Sequence, residues 1–350
     1  MTSVVIRADA SPAIGAGHVM RCLALADALR GAGASVRFAC RDAAGNLSEV
    51  ITRGGFTLLP LRMPAEASWQ DDAAATRGAL GAGPPADWLV VDHYALDARW
   101  EQDLRGRARR ILAIDDLANR PHDCDVLLDQ NYYEDAHTRY ATRVPAHCQQ
   151  AVGPEYALLR REFYEARRAL GPRDGTVRRV LVALGGADAS NETGKVLEAL
   201  QDAAFAGLAV DVLVGGLNRH RTALLERFGA SAAIRFHDSS SNVAALMSAA
   251  DLSIGAGGTM NWERCVLALP SLVVVIADNQ RETNEALHRA GIVHNLGWHA
   301  DVDAAQIAAH LRQLMAEPAR LRDMGRKAAA LMAVPDGARG PKILTTLLRS

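Results

Sequence analysis

The stretch that decides the fold is Ser3-Val4-Val5-Ile6-Arg7-Ala8-Asp9-Ala10-Ser11-Pro12-Ala13-Ile14-Gly15-Ala16-Gly17-His18-Val19-Met20-Arg21. Ser3–Ile6 is a short apolar run of the kind that forms a buried strand. A glycine-containing loop follows, and from His18 the apolar residues Val19, Leu23, Ala26 and Leu29 recur at helical spacing until Gly31 and Gly33 stop them. The same order returns downstream. Arg178–Leu184 reads as a strand, Gly185-Gly186-Ala187-Asp188-Ala189-Ser190-Asn191 as its loop, and a helix follows through Val196, Leu197 and Leu200. Strand, glycine loop, helix is the unit that opens doubly wound α/β domains.

Further strands are predicted at 88–92, 110–114 and 126–128 in the first half, and at 210–214, 234–236, 252–254 and 271–276 in the second. Strands alternating with helices imply parallel sheets covered on both faces. The expected architecture is therefore α/β, with two Rossmann-like domains whose parallel sheets face a central cleft. The first domain is taken as 1–155, a charged linker punctuated by Gly171-Pro172 and Asp174-Gly175 as 156–176, and the second domain as 177–350. The Ala-rich acidic stretch 65–79 reads as a surface helix or a loop.

A chain of 350 residues has room for about two domains, each with its own core. Lys+Arg 39 against Asp+Glu 40 leaves a net charge of -1, without the basic excess of proteins whose main partner is nucleic acid. Aromatic residues, at 5%, are too sparse for a single-strand stacking platform. The N-terminal stretch lacks a basic region followed by an apolar one, and the longest apolar run, Leu269–Ala277, is broken by Pro270. The five cysteines, Cys22, Cys40, Cys124, Cys148 and Cys265, form no CxxC pair and suggest neither a disulfide framework nor a zinc ribbon. These features predict a cytoplasmic protein with no nucleic acid or membrane partner; they leave the oligomeric state open.

Gly15-Ala16-Gly17-His18-Val19-Met20 is not a dinucleotide fingerprint, because Met20 stands where its third glycine belongs. Its chemistry-bearing residue is His18, on the first turn of a helix whose positive end disfavours imidazolium. A neutral imidazole there suits a general base. A local hydrogen bond to a carbonyl is an equally simple reading of His18. Arg21, one turn on, is expected to pair with Asp9 at the end of the first strand or to meet an anion.

In the second half, Gly185-Gly186 before a helix offers backbone amides to a phosphate. A second such loop is Gly255-Ala256-Gly257-Gly258-Thr259-Met260-Asn261-Trp262-Glu263. Its glycines admit a diphosphate, Thr259 adds a hydroxyl, and Glu263 stands one turn on, where a carboxylate accepts the hydroxyls of a ribose. Asn279-Gln280 follows the last predicted strand at its carboxyl end, where ligands of open α/β sheets collect. Asp123-Cys124-Asp125 and Asp115-Asp116 are left outside the site, the first as a structural loop and the second because adjacent side chains diverge.

Arg7-Ala8-Asp9-Ala10-Ser11 with Ile14–Leu23 closely resembles the opening of the PseG family, the UDP-2,4-diacetamido-2,4,6-trideoxy-β-L-altropyranose hydrolases of pseudaminic acid synthesis. The likeness continues at Asp92-His93-Tyr94, Asp115-Asp116-Leu117, Arg120–Asp125, Leu128–Asn131, Gly153–Arg160, Gly185–Asp188, Gly257-Gly258-Thr259 with Trp262-Glu263-Arg264, and Asp278-Asn279-Gln280. It departs at Met260-Asn261. The resemblance implies a MurG-like GT-B fold, a small-molecule nucleotide-sugar partner, no cofactor, and metal-independent removal of UDP from its sugar by water. It implies His18 as the general base, Tyr94 and Asn279 lining the sugar-phosphate site, and Gly257, Gly258 and Glu263 in the UDP site.

The full candidate set is then His18 as catalytic residue; Gly15, Gly17, Arg21, Tyr94 and Asn279 for substrate; and Gly185, Gly186, Gly257, Gly258, Thr259 and Glu263 for UDP. A nucleoside diphosphate leaves readily, so the absence of a glycosidase-type carboxylate pair is no objection. The alternatives are a MurG-like glycosyltransferase and a nucleotide-sugar-binding protein without turnover.

Overall fold

In the computed structural model the opening strand is β1 (Ser3–Ala8), and the chain then passes into α1 (Gly17–Gly31). Residues 1–11, 14–64, 66–216, 218–238 and 242–348 are described, so Pro12 and Ala13 of the first glycine loop and Ala65 lie outside them. Two units divide the chain: Met1–Arg161 together with Gly340–Ser350, and Glu162–Arg339.

The first unit continues with β2 (Ser35–Arg41), α2 (Ser48–Arg53), β3 (Thr57–Leu61), α3 (Trp69–Leu80), β4 (Ala86–Asp92), α4 (Ala98–Leu104), β5 (Ala108–Ile114), β6 (Val126–Asp129) and β7 (Gln149–Val152). Its sheet has the order β3-β2-β1-β4-β5-β6-β7, and every pairing is parallel. Successive strand residues point to opposite faces. Val4 and Ile6 accordingly pack with Leu25 and Leu29 of α1, whereas Val5 packs with Trp100 and Leu104 of α4. Burial on both faces is why these strands read as continuous apolar runs.

The second unit contains α5 (Arg161–Ala169, which begins at the boundary), β8 (Arg179–Ala183), α6 (Glu192–Ala199), β9 (Ala209–Leu213), α7 (Arg221–Phe228), β10 (Ile234–His237), α8 (Val243–Ala249), β11 (Leu252–Ala256), α9 (Met260–Val266), β12 (Ser271–Val275), α10 (Arg281–Arg289), β13 (His294–Trp298), α11 (Ala304–Met315) and α12 (Pro318–Leu331). Its sheet runs β10-β9-β8-β11-β12-β13, again parallel throughout. Val180, Val182, Ile254, Leu272 and Val274 meet Ile307, Leu311 and Leu314 of α11 in one core.

The strand order reverses between β1 and β4 in the first sheet and between β8 and β11 in the second. Ligands of such sheets bind at the carboxyl ends of the strands at these switch points. The loops carrying His18 and Tyr94 leave β1 and β4. The loops carrying Gly185-Gly186 and Gly257-Gly258 leave β8 and β11.

The structure corrects two boundaries. The segment read as a linker, 156–176, contains α5, whose Phe163 and Tyr164 are buried; the charged residues around that pair masked its apolar face. The tail assigned to the second domain returns to the first unit from Gly340 onward. There Ile343 and Leu347, the latter in α13 (Leu344–Leu347), enter the core beside Val4 and Trp88. The Trp88 indole donates to the Leu347 carbonyl oxygen at 3.0 Å. Ile343 is fully buried, so Ile343→Ala should cost about 2–5 kcal/mol. Denaturant unfolding followed by tryptophan fluorescence measures this, and an unchanged midpoint would remove the return segment from the core.

Candidate active site

Asp92 closes β4 and pairs in register with Ala8, so it stands level with the end of β1, from which the chain enters the His18 loop. Its side chain is fully buried, and three groups from α1 converge on it. His18 Nδ1 lies 2.5 Å from Oδ1. Arg21 donates from Nε to Oδ2 at 2.6 Å and from Nη2 to Oδ1 at 2.7 Å, a bidentate pair. The Cys22 thiol donates to Oδ2 at 3.5 Å. His18 and Arg21 reach one carboxylate because residues three apart share a helix face. Burial by itself would raise the Asp92 carboxyl; the Arg21 charge and the hydrogen bonds from Arg21 and His18 outweigh it and hold the group well below the usual carboxylate range.

Arg21 therefore does not pair with Asp9, as the sequence suggested. Asp9 is taken by Arg7, two residues away on the same side of the extended chain, at 2.5 and 2.7 Å, and by the Arg41 amide at 2.7 Å. Arg7 also holds Asp72 of α3. Arg21 instead extends Nη1 to Asp116 at 3.2 Å. Tyr94 lies edge-on to the His18 ring, with centroids 4.6 Å apart and planes at 82°. Its hydroxyl bonds to Asp116, and burial with the nearby Asp116 charge raises its pKa. Gly15 is fixed by a bond from its amide to the Ser11 carbonyl oxygen at 2.8 Å, and Gly17 opens α1. His18, Arg21 and Tyr94 thus form one cluster. Sequence reasoning left out its centre, Asp92, and its far end, Asp116. The available signal was position: a carboxylate ending an otherwise apolar strand beside β1.

Asp115 and Asp116 do diverge. Asp115 faces Arg120 at 2.8 Å and accepts the Ala118 amide at 2.8 Å. The Tyr140 hydroxyl lies 3.1 Å from Asp115 Oδ2 and 2.8 Å from Asp129 Oδ2. A phenol has one proton and cannot donate to both carboxylates. A proton on Asp129 resolves the conflict, and burial pushes the pKa of that group up to about 8. Asp123 and Asp125 both engage Arg105, and Asp125 also accepts the Ile111 amide at 2.7 Å. Among the described residues no group of three or more His, Cys, Asp or Glu side chains is arranged to hold a metal ion. Among them, too, no helix is long and apolar enough to cross a membrane.

In the second unit, Gly185 adopts φ +93°, a left-handed conformation that glycine supplies without strain. The first-turn amides of α6 are already occupied: Asp188 accepts from Glu192 N at 2.8 Å and Thr193 N at 3.0 Å. An anion at Gly185-Gly186 is left with the loop amides rather than that helix end. The other loop is held from below. The Gly257 carbonyl oxygen accepts from Asn261 Nδ2 at 3.1 Å and from Asn284 Nδ2 at 2.8 Å. In a planar trans peptide the N–H points opposite to the C=O, so the Gly258 amide is turned away from the two asparagines. A Cβ at Gly257 would lie 2.2 Å from Asn284 Nδ2, which makes this glycine a packing requirement as well. Asn261, a departure from the family pattern, is thus part of the loop's support. Thr259 and Glu263 follow at the start of α9, both partly exposed, and Asn279 is exposed in the single turn Asp278–Gln280 after β12.

Two doubly wound units with their candidate residues at the switch points define a GT-B protein. Solved structures of that class match nearly the whole chain. Acinetobacter baumannii MurG matches with a TM-score of 0.59 and 13% identity, over 94% of this chain and 95% of that one. Arabidopsis thaliana UGT89C1 complexed with UDP matches with a TM-score of 0.68 and 13% identity, over 99% and 98%. In sequence the chain is a relative of the Campylobacter jejuni UDP-2,4-diacetamido-2,4,6-trideoxy-beta-L-altropyranose hydrolase, the PseG protein its motifs resemble. The two are 26% identical over 290 residues, 82% of this chain and 97% of that one. It is also 25% identical over 297 residues to the uncharacterized protein MJ1062 of Methanocaldococcus jannaschii, covering 80% of itself but spanning only 57% of that protein's length. No family model matches the chain.

The Asp129 proton gives a pH signature. A carboxyl whose folded pKa lies above its unfolded value contributes stability that is fully present below about pH 4 and is lost as pH rises through about 8. Asp129→Asn should remove this loss, making the variant relatively more stable than the parent as pH increases over that window. Denaturant midpoints measured from pH 4 to 9 test it, and parallel pH profiles for the two proteins would contradict the assignment.

Proposed function

We propose that the chain hydrolyses a UDP-sugar, removing UDP from UDP-2,4-diacetamido-2,4,6-trideoxy-β-L-altropyranose, with His18 as the general base. The observation that carries this reading is the buried His18–Asp92 pair at the switch point of the first sheet. The hydrolase relative supports the substrate class.

Asp92 gives the Nδ1 proton an acceptor and so fixes the tautomer whose Nε2 carries the lone pair. Nε2 takes a proton from water as the water oxygen bonds to the anomeric carbon. The bond from that carbon to the diphosphate oxygen breaks, and UDP departs with the electron pair. The imidazolium that forms is stabilised by the Asp92 carboxylate it already touches. Tyr94, packed edge-on, limits rotation of the ring. In this reading Gly15, Gly17, Arg21 and Asn279 border the sugar phosphate. UDP rests on Gly185, Gly186, Gly257, Gly258 and Thr259, and Glu263 accepts the ribose hydroxyls. The chemistry so written uses no metal and is that of a cytoplasmic enzyme of pseudaminic acid synthesis.

The test is incubation of the UDP-sugar in oxygen-18 water without any acceptor. UDP should be released and the label should enter the free sugar. His18→Ala should slow turnover on the order of 10²–10⁴-fold while leaving UDP affinity unchanged, and Asp92→Asn should fall in the same range. Release that requires an added acceptor hydroxyl would instead make the protein a glycosyltransferase. UDP binding with no turnover under any condition would make it a nucleotide-sugar-binding protein.

A further inference from the structure

Arg264, on α9, is 1% exposed. Its Nη2 donates to the Ala256 carbonyl oxygen at 2.7 Å and to Asn261 Oδ1. Its Nε and Nη1 have no hydrogen-bond partner, and among the described residues no carboxylate oxygen lies within 4.0 Å of the guanidinium. Every other fully buried arginine that has been described above, Arg7 and Arg21, is neutralised by two aspartates. Arg264 also lies directly against the end of β11, from which the glycine loop leaves, since a Cβ on Gly255 would sit 2.2 Å from Nη1. A glycine is needed at that position simply to admit the group. Burial, only partly offset by the charge of the neighbouring Glu263, pulls its pKa down to about 10, so at neutral pH the side chain still carries its charge.

Buried charges are normally paired, because an unpaired one loses its hydration without compensation. Here the missing partner is an anion, and the unpaired cation backs the end of β11 and the loop after it, whose Gly258 amide is turned away from Asn261 and Asn284. We propose that Arg264 is a positioning residue for the diphosphate of the nucleotide: from beneath the glycine loop it supplies the positive charge that the leaving group meets, acting through the loop rather than by touching the sugar. The inference rests on the nucleotide reading above and extends it to a residue to which that reading gives no role. It also accounts for a diphosphate site in a unit whose loop carries no exposed lysine or arginine between Gly255 and Glu263.

The experiment is a charge ladder. Uridine, UMP and UDP are titrated into the parent protein, Arg264→Met and Arg264→Lys, with affinity read by calorimetry and folding checked by thermal melting. Arg264→Met should leave uridine affinity unchanged, weaken UMP less than UDP, and weaken UDP roughly tenfold or more. Arg264→Lys should restore part of the UDP affinity. A loss equal for all three ligands, no loss for UDP, or no recovery in Arg264→Lys overturns the proposal, because a charge beneath the loop acts in proportion to the charge it meets and is retained by lysine. Should Arg264→Met not fold, the parent protein answers by nitrogen-15 NMR. The Arg264 Nε resonance, identified by its absence in Arg264→Lys, should shift on addition of pyrophosphate, and a resonance that does not move overturns the proposal. A parent protein that binds neither UDP nor pyrophosphate refutes the nucleotide reading itself, and the role of Arg264 with it.

Discussion

A carboxylate with no exposure to solvent is tolerated only where cations surround it, and the first unit is arranged around one such group. Asp92 ends a buried strand, and α1 must deliver His18 and Arg21 to it on one face, one turn apart. That requirement fixes where the helix starts, how it is rotated, and why the loop before it is short of bulky side chains. Removing either partner would leave the carboxylate buried and underpaired, which is costlier than losing a hydrogen bond. The placement of His18 and the integrity of this end of the sheet are therefore linked. Arg21 makes two contacts of its own to Asp92, so the carboxylate keeps a cationic partner whatever the protonation of His18.

The two units apply opposite electrostatics to the same topology. Around His18 the first unit gathers aspartates, each matched to an arginine, a tyrosine or a proton. Around Gly257 the second unit gathers neutral amides from Asn261 and Asn284 and one unmatched arginine. In the proposed reaction the acid-rich cluster would hold the imidazolium, and the cation-backed loop of amides would meet the departing anion. A net charge of -1 for the whole chain conceals both.

Most of the strands legible in the sequence present apolar runs buried on both faces; β10, an edge strand with an exposed Arg235, was read from its short Ile234–Phe236 segment. The strands β2, β3, β7 and β13 were not legible. β3, β7 and β13 are sheet edges; β3 contains Pro60, and Gln149 and Gln150 of β7 are exposed. β2 alternates Val36, Phe38 and Cys40 with Arg37 and Arg41, so its pattern is that of a surface strand. Within the site, His18 and the glycine loops could be read because helix starts and glycine turns leave local signatures. Asp92, Asp116 and Asn284 could not, since each acts on residues far away in sequence. The mispairing of Arg21 with Asp9 has the same origin: proximity along the chain favoured Asp9, but Arg7 had already claimed it. The family resemblance included the segments containing Asp92 and Asp116 without saying what they touch.

The return of the chain to the first unit has a consequence for biosynthesis. On a ribosome, domains ordinarily fold in the order in which they emerge. Here β1 through β7 emerge first, but Ile343 and Leu347, which cover Val4 and Trp88, are translated only after the whole of Glu162–Arg339. The second unit has all its strands and can complete its core while the first still waits with an open apolar face. The second unit is therefore free to finish folding first, and the half that carries His18 is sealed only by residues translated after that unit.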